Sequence, residues 1–324
     1  MNNDRIIFGQ YYDANSLIHK LDPRTKLLGL LTLIISLFVV DNIYVLLGLT
    51  MFLLVLILLT KTPINKFFRS IRMMSYIMIF TFIVQLLVKQ DGLLIADFTF
   101  NLTVLNLGII LVVLILWFTF SKYIKAFKIT LFILLILGAF ALQYYLTITP
   151  SITVYNVKIF EGGLLEASFI VIRIIDFLFI SSLLTLTTKP TEINNGLEKL
   201  LKPFKKIGLN VGAFSMIISV TLRFIPTLIL EADKILKAQA SRGVDLKDAN
   251  LLKKVSLMVS LIIPLFIITY KKAADLTYAM EARGYVEKKD RSSIYVLEYK
   301  YYDYISLILI FIILIFSVIS LLIL

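Results

Sequence analysis

Apolar runs dominate this chain, and the polar breaks between them are spaced as membrane-crossing helices require. The run Leu27 to Val40 predicts a first helix, prefaced by Asp22-Pro23. An aspartate there accepts from the free N–H groups of the first turn, and a proline at the first helical position lacks only an N–H that would go unpaired. Further runs lie at about Ile43 to Leu59, Met73 to Val88, Leu105 to Phe120, Ile129 to Leu146, Leu164 to Leu186 and Ile305 to Leu324. Each approaches or reaches the roughly 20 apolar residues that cross about 30 Å of hydrocarbon. The pattern is that of an all-α polytopic membrane protein with about seven spans. One stretch differs: Ile152, Val154, Val157 and Ile159 alternate as in a strand, before a break at Gly162-Gly163.

At Lys189-Pro190 the pattern changes, because charge now interrupts the apolar stretches. Thr191 to Leu201 predicts a short amphipathic helix ended by Lys202-Pro203. Val211 to Ala240 and Leu251 to Ala282 predict two long helices that begin apolar and end amphipathic. In the first, Leu228, Ala232, Ile235, Leu236 and Gln239 share a face, with Lys234 and Lys237 off it. Pro226 and Pro264 each remove an intrahelical hydrogen bond and are expected to kink these helices. Such helices suit the inner membrane face as well as a crossing. The expected organisation is a membrane domain over 1–188, a coupling-helix domain over 189–302 and a final span over 303–324.

Composition agrees: 59% of residues are hydrophobic, and the mean hydropathy is +0.92. The net charge of +12 sits in particular loops. Lys61, Lys66, Arg69 and Arg72 follow the second run, Lys122, Lys125 and Lys128 follow the fourth, and 189–302 is basic throughout. The positive-inside rule places these in the cytoplasm with the amino terminus. Asp41-Asn42 and residues 90–103, with Asp91 and Asp97 and no base, fall outside. The positive charge therefore answers to the lipid bilayer and not to nucleic acid. There is no cysteine and one histidine, His19, which excludes disulfides, thiolate metal sites and His-rich metal sites. Phosphate-loop, HExxH and GxSxG patterns are missing, so neither an enzyme nor a cofactor is expected.

Two features invite a functional reading. Arg173 and Asp176 stand three residues apart inside a span, on one helix face, and are expected to form an intramembrane polar pair or a partner contact. The second is a double ending. Residues 231–243 read EADKILKAQASRG and 272–284 read KAADLTYAMEARG, so Arg242 and Arg283 recur at an offset of 41 residues. One arginine and glycine at a helix end are a cap with a favourable charge. Two of them, on proline-bearing helices in one basic region, point to a pair of docking tips, each presenting a fixed fork of donors. Counted from the prolines the tips are unequal, with 16 residues from Pro226 to Arg242 and 19 from Pro264 to Arg283.

The stretches HKLDPRTKLL at 19–28, SSLLTLTTKPTEINNGLEKLLKPFKKIGL at 181–209, LRFIPTLILEADKILKAQASRG at 222–243 and YAMEARGY at 278–285 together resemble one family, the transmembrane T component of energy-coupling factor (ECF) transporters. The resemblance implies a non-catalytic subunit in the cell membrane, bridging a membrane substrate-binding (S) subunit and two cytoplasmic ABC-type ATPases. It implies that Ser241-Arg242-Gly243 and Ala282-Arg283-Gly284 each dock in a groove of one ATPase. Ser241 departs from the family's alanine. The stretch 97–149 is longer than the family pattern and is expected to add a helical hairpin. The competing reading is a stand-alone secondary transporter with a polar midplane site, for which Arg173 and Asp176 are the candidates.

Overall fold

The computed structural model describes residues 11–102, 153–208, 210–241, 251–286 and 297–323, with isolated residues between 108 and 138. Eight α-helices occur among them: α1 (Pro23–Val39), α2 (Ile43–Leu59), α3 (Asn65–Val88), α4 (Glu161–Thr187), α5 (Pro190–Leu201), α6 (Val211–Ser241), α7 (Leu251–Ala282) and α8 (Tyr301–Ile323). A 3₁₀ turn, Lys202–Ile207, follows α5 and ends on Gly208 in a left-handed conformation. The expected spans Leu105 to Phe120 and Ile129 to Leu146 lie almost wholly outside the described residues, as do Arg242 and Gly243.

Helices α4, α6 and α8 are long and apolar enough to cross a membrane, and α2 and the Met74–Val88 part of α3 are shorter apolar helices. Large apolar side chains on them stay uncovered, among them Met51, Phe80, Ile217, Ile308 and Phe311. In water such surface would be costly, whereas lipid tails solvate it. The protein is an all-α polytopic membrane protein.

Among the described residues one small sheet interrupts the helices. Strands β1 (Leu94–Leu102) and β2 (Thr153–Phe160) pair antiparallel. Residues 90–103 carried no strand signal, because their partner lies some fifty residues on and local pattern does not register it. Below the sheet the chain closes tightly: the Glu161 N–H donates to the Leu93 carbonyl and the Gly162 N–H to the Asp91 carbonyl, both at 2.9 Å. A Cβ on Gly162 would lie 2.5 Å from that Asp91 oxygen. The Gly162-Gly163 break read from the sequence is therefore a close backbone approach at the start of α4.

The chain divides into two compact units. One comprises Met1–Ile35, Ile57–Thr62 and Ser181–Phe316, the other Ser36–Leu56, Pro63–Ile180 and Ser317–Leu324. In the second, Leu37, Leu46 and Leu53 are fully buried. Phe67 there meets Phe179 edge-on, with ring centroids 6.4 Å apart. In the first, α5 lies against the start of α1, so that a Cβ on Gly196 would stand 3.1 Å from Pro23 Cβ. Both long helices run through their prolines, Pro226 and Pro264, without ending. Leu228, Ala232, Ile235, Leu236 and Gln239 of α6 are half-buried, while Lys234 and Lys237 are exposed. This is the amphipathic division expected from the sequence.

Candidate functional site

The described docking candidate is the end of α7. The Tyr285 N–H donates to the Met280 carbonyl at 3.0 Å and the Gly284 N–H to the Glu281 carbonyl at 2.9 Å. These six-to-one and five-to-two bonds are the Schellman arrangement, which satisfies carbonyls a helix end leaves free. It requires a left-handed residue after the helix, and Gly284 supplies it with φ of 70°. Arg283 is thereby fixed beside the last turn, and its side chain is exposed. On α6 the corresponding Ser241 is exposed, and its hydroxyl donates to the Lys237 carbonyl at 3.1 Å. That bond to the preceding turn is ordinary for a helical serine. Arg242 and Gly243 fall beyond the described residues.

Eleven residues before these arginines the two helices are bridged. Lys272 Nζ of α7 lies 3.3 Å from Glu231 Oε1 of α6, and Lys234 Nζ lies 3.5 Å from Glu231 Oε2. Glu231 and Lys272 are both half-buried. Nothing local in the sequence tells which of several lysines faces a neighbouring helix.

Helix α5 is pinned to the start of α6 by a buried amide. Asn194 Nδ2 lies 3.1 Å from the Ser215 carbonyl, 3.3 Å from Ser215 Oγ and 2.7 Å from Ser219 Oγ. The Ser215 hydroxyl in turn donates to Glu198. Asn194 and Ser215 are each 4% exposed, so these bonds satisfy groups that would otherwise be buried without partners.

The HKLDPR motif forms a second polar knot. Asp22 Oδ1 accepts from the Arg24 backbone N–H at 2.8 Å, which is the cap expected from the sequence. The same carboxylate takes the Arg24 side chain in a two-pronged pair, at 3.0 and 2.9 Å. Arg24 also donates to the Leu297 carbonyl at 2.9 Å, and its guanidinium lies 3.9 Å from the Tyr299 ring centroid. Lys26 Nζ donates to the carbonyls of His19, at 3.1 Å, and Thr187, at 3.0 Å. His19 Nε2 lies 2.9 Å from the Tyr12 carbonyl and Nδ1 2.7 Å from Ser16 Oγ. A carbonyl only accepts, so Nε2 carries the proton and Nδ1 receives the serine hydroxyl. Burial pulls the imidazole pKa below its ordinary 6.5, the neighbouring Lys26 charge adds to that, and the Tyr12 bond opposes it. The motif thus gathers α1, α4 and the approach to α8.

The expected Arg173–Asp176 pair is not made. Arg173 turns to the end of α1 and the following loop, with Nη2 2.6 Å from the Val40 carbonyl and 3.6 Å from Asp41 Oδ1. Its guanidinium also lies 4.5 Å from the Phe169 ring centroid. Asp176 is fully buried and accepts from Thr50 of α2 at 2.8 Å. Spacing of three residues puts both on one face of α4, but each turns to another element, Arg173 to the Val40 carbonyl and Asp176 to the Thr50 hydroxyl. Among the described residues no cluster of His, Cys, Asp or Glu could hold a metal ion.

Comparison with known proteins places this architecture. A family profile described as "Cobalt transport protein" (CbiQ) matches residues 92–295. The "Energy-coupling factor transporter transmembrane protein EcfT" of Bacillus subtilis (strain 168) is 34% identical over 284 residues, covering 87% of this chain and 85% of that one. The protein of the same name from Streptococcus equi subsp. equi is 32% identical over 313 residues, covering 97% and 96%. That of Clostridium kluyveri is 31% identical over 304 residues, covering 93% and 91%. The profile spans most of the chain and the relatives nearly all of it; the chain belongs to the CbiQ/EcfT family of energy-coupling factor transporter transmembrane proteins.

Proposed function

We propose that this chain is the non-catalytic energy-coupling subunit of an ECF-type ABC transporter. Two cytoplasmic ABC-type ATPases dock on Ser241-Arg242-Gly243 and Ala282-Arg283-Gly284. Their closure on ATP moves α6 and α7, and that motion reaches a membrane substrate-binding subunit, which then delivers a vitamin or metal ion inside. Hydrolysis belongs to the ATPases and substrate recognition to the membrane partner. The amino terminus and the long helices face the cytoplasm.

The observation that carries this reading is the exposed Arg283, fixed by its Schellman cap at the end of a helix whose sequence is echoed at Arg242. A guanidinium so placed suits a carboxylate or the free carbonyls of a partner helix. The names of the relatives support the transporter class. Co-purification of the ATPases with the double variant Arg242→Glu, Arg283→Glu tests the docking. Loss of the complex is expected, since a desolvated charge pair deprived of one member costs roughly 2–5 kcal/mol. An undiminished complex overturns the reading.

A further inference from the structure

The 41-residue echo has a counterpart in space. Glu231 and Lys272, which meet at 3.3 Å, are themselves 41 residues apart. They therefore occupy the same position in the two copies of the pattern. From Glu231 to Ser241 and from Lys272 to Ala282 the helices run without interruption. Each arm covers ten residues beyond the bridge, or about 15 Å at 1.5 Å per residue.

The prolines gave a different impression, because 16 and 19 residues separate them from the arginines. That difference lies wholly behind the bridge. Ahead of it the arms are equal. The charges also invert between the copies: Glu231 and Lys234 on α6 stand where Lys272 and Asp275 stand on α7. An inverted pair at an equivalent position is what lets two similar helices attract where they meet, since identical charges would repel. Lys272 falls on the less exposed stripe of α7 with Leu261, Leu265, Ile268 and Leu276, and Glu231 falls on the half-buried side of α6. The bridge thus sits on the facing sides of the helices.

We propose that Glu231 and Lys272 form the pivot of two equal arms, a positioning pair that fixes the spacing of the arginine tips. Its use in coupling rests on the docking reading above, but the spacing itself does not. A pivot at equal distance from both tips converts one rotation about it into equal displacements of the two ends. With unequal arms, two ATPases closing together would strain one joint more than the other.

The chain has no cysteine, so paired labels can be placed cleanly. Ala238 and Ala279 are exposed and stand at equivalent positions of the echo, one turn short of the tips. Spin labels on Ala238→Cys and Ala279→Cys report the tip spacing of the full chain in lipid nanodiscs by pulsed electron resonance. The labelled parent is expected to give one narrow distance distribution. Glu231→Lys and Lys272→Glu, each alone, should widen it at least twofold, and the two together should restore the parent width. A width unchanged by either reversal, or widening that the exchange does not rescue, overturns the pivot. Adding the two ATPases and ATP to the same labelled chain separates this outcome from the docking reading. If docking fails, the distribution ignores the ATPases while the exchange still rescues it.

Discussion

The Asp22 backbone N–H donates to Asp303 Oδ1 at 2.8 Å across 281 residues of sequence. Asp303 Oδ2 meanwhile accepts from the Lys300 N–H, also at 2.8 Å. One carboxylate, 1% exposed, therefore caps its own helix and holds the residue that caps the first. The beginnings of α1 and α8 are joined through two acids whose mutual repulsion is offset, because each faces N–H donors and the Arg24 guanidinium pairs with Asp22.

Replacing Asp303 should be among the costliest single changes in this unit. Asp303→Leu leaves the Asp22 and Lys300 donors without their acceptor; the buried Asp22 N–H alone costs about 1–3 kcal/mol as an orphan, and the Lys300 N–H, nearer solvent, adds less. Thermal unfolding in detergent should show a clear fall in midpoint. Asp303→Asn keeps one acceptor oxygen and is expected to lose about half as much. Equal midpoints for the parent and the leucine variant would refute the double role.

Acid should loosen the amino-terminal hook through His19. Its folded pKa is held below 6.5 by burial, so between the two values the unfolded chain binds more protons than the folded one. The contribution is complete above pH 6.5 and is lost as pH falls through the folded value. The parent should lose stability on going from neutral pH to pH 5 by more than His19→Gln, whose amide does not titrate. Parallel pH curves for the two would contradict the assignment.

Asn194 offers a test of the joint between α5 and α6. Asn194→Leu leaves the Ser215 carbonyl and the Ser219 hydroxyl without their donor, at about 1–3 kcal/mol. Asn194→Asp should be worse at neutral pH, because it replaces that donor with a charge beside the Ser215–Glu198 bond. Ranking the two variants by unfolding midpoint checks the geometry, and the reverse order would be incompatible with it.

At the α7 tip, Gly284→Ala places a Cβ on a backbone at φ of 70°. The left-handed conformation costs a non-glycine residue about 1 kcal/mol. Amide exchange at Gly284 and Tyr285, whose N–H groups close the cap, should speed several-fold while the helix interior stays protected. An unaltered exchange rate would mean that the cap does not depend on the glycine.

Sequence reading reached what is written locally. Asp22-Pro23 announced the start of α1, Leu251 and Ala282 bounded α7, and the half-buried face of α6 followed from spacing alone. Tertiary choices were hidden. Arg173 and Asp176 share a face, yet spacing says nothing of Asp41 or Thr50 on other elements. Asp303 carries no local signal of its role, because its second partner stands at the far end of the chain.

The small sheet has a consequence of its own. Leu102 and Thr153 face each other as the last pair of its register, and at the other end Glu161 and Gly162 bond back to Leu93 and Asp91. The end of α3 and the start of α4 are therefore tied through the sheet, and a change that opens the Gly162 approach acts on both helices at once.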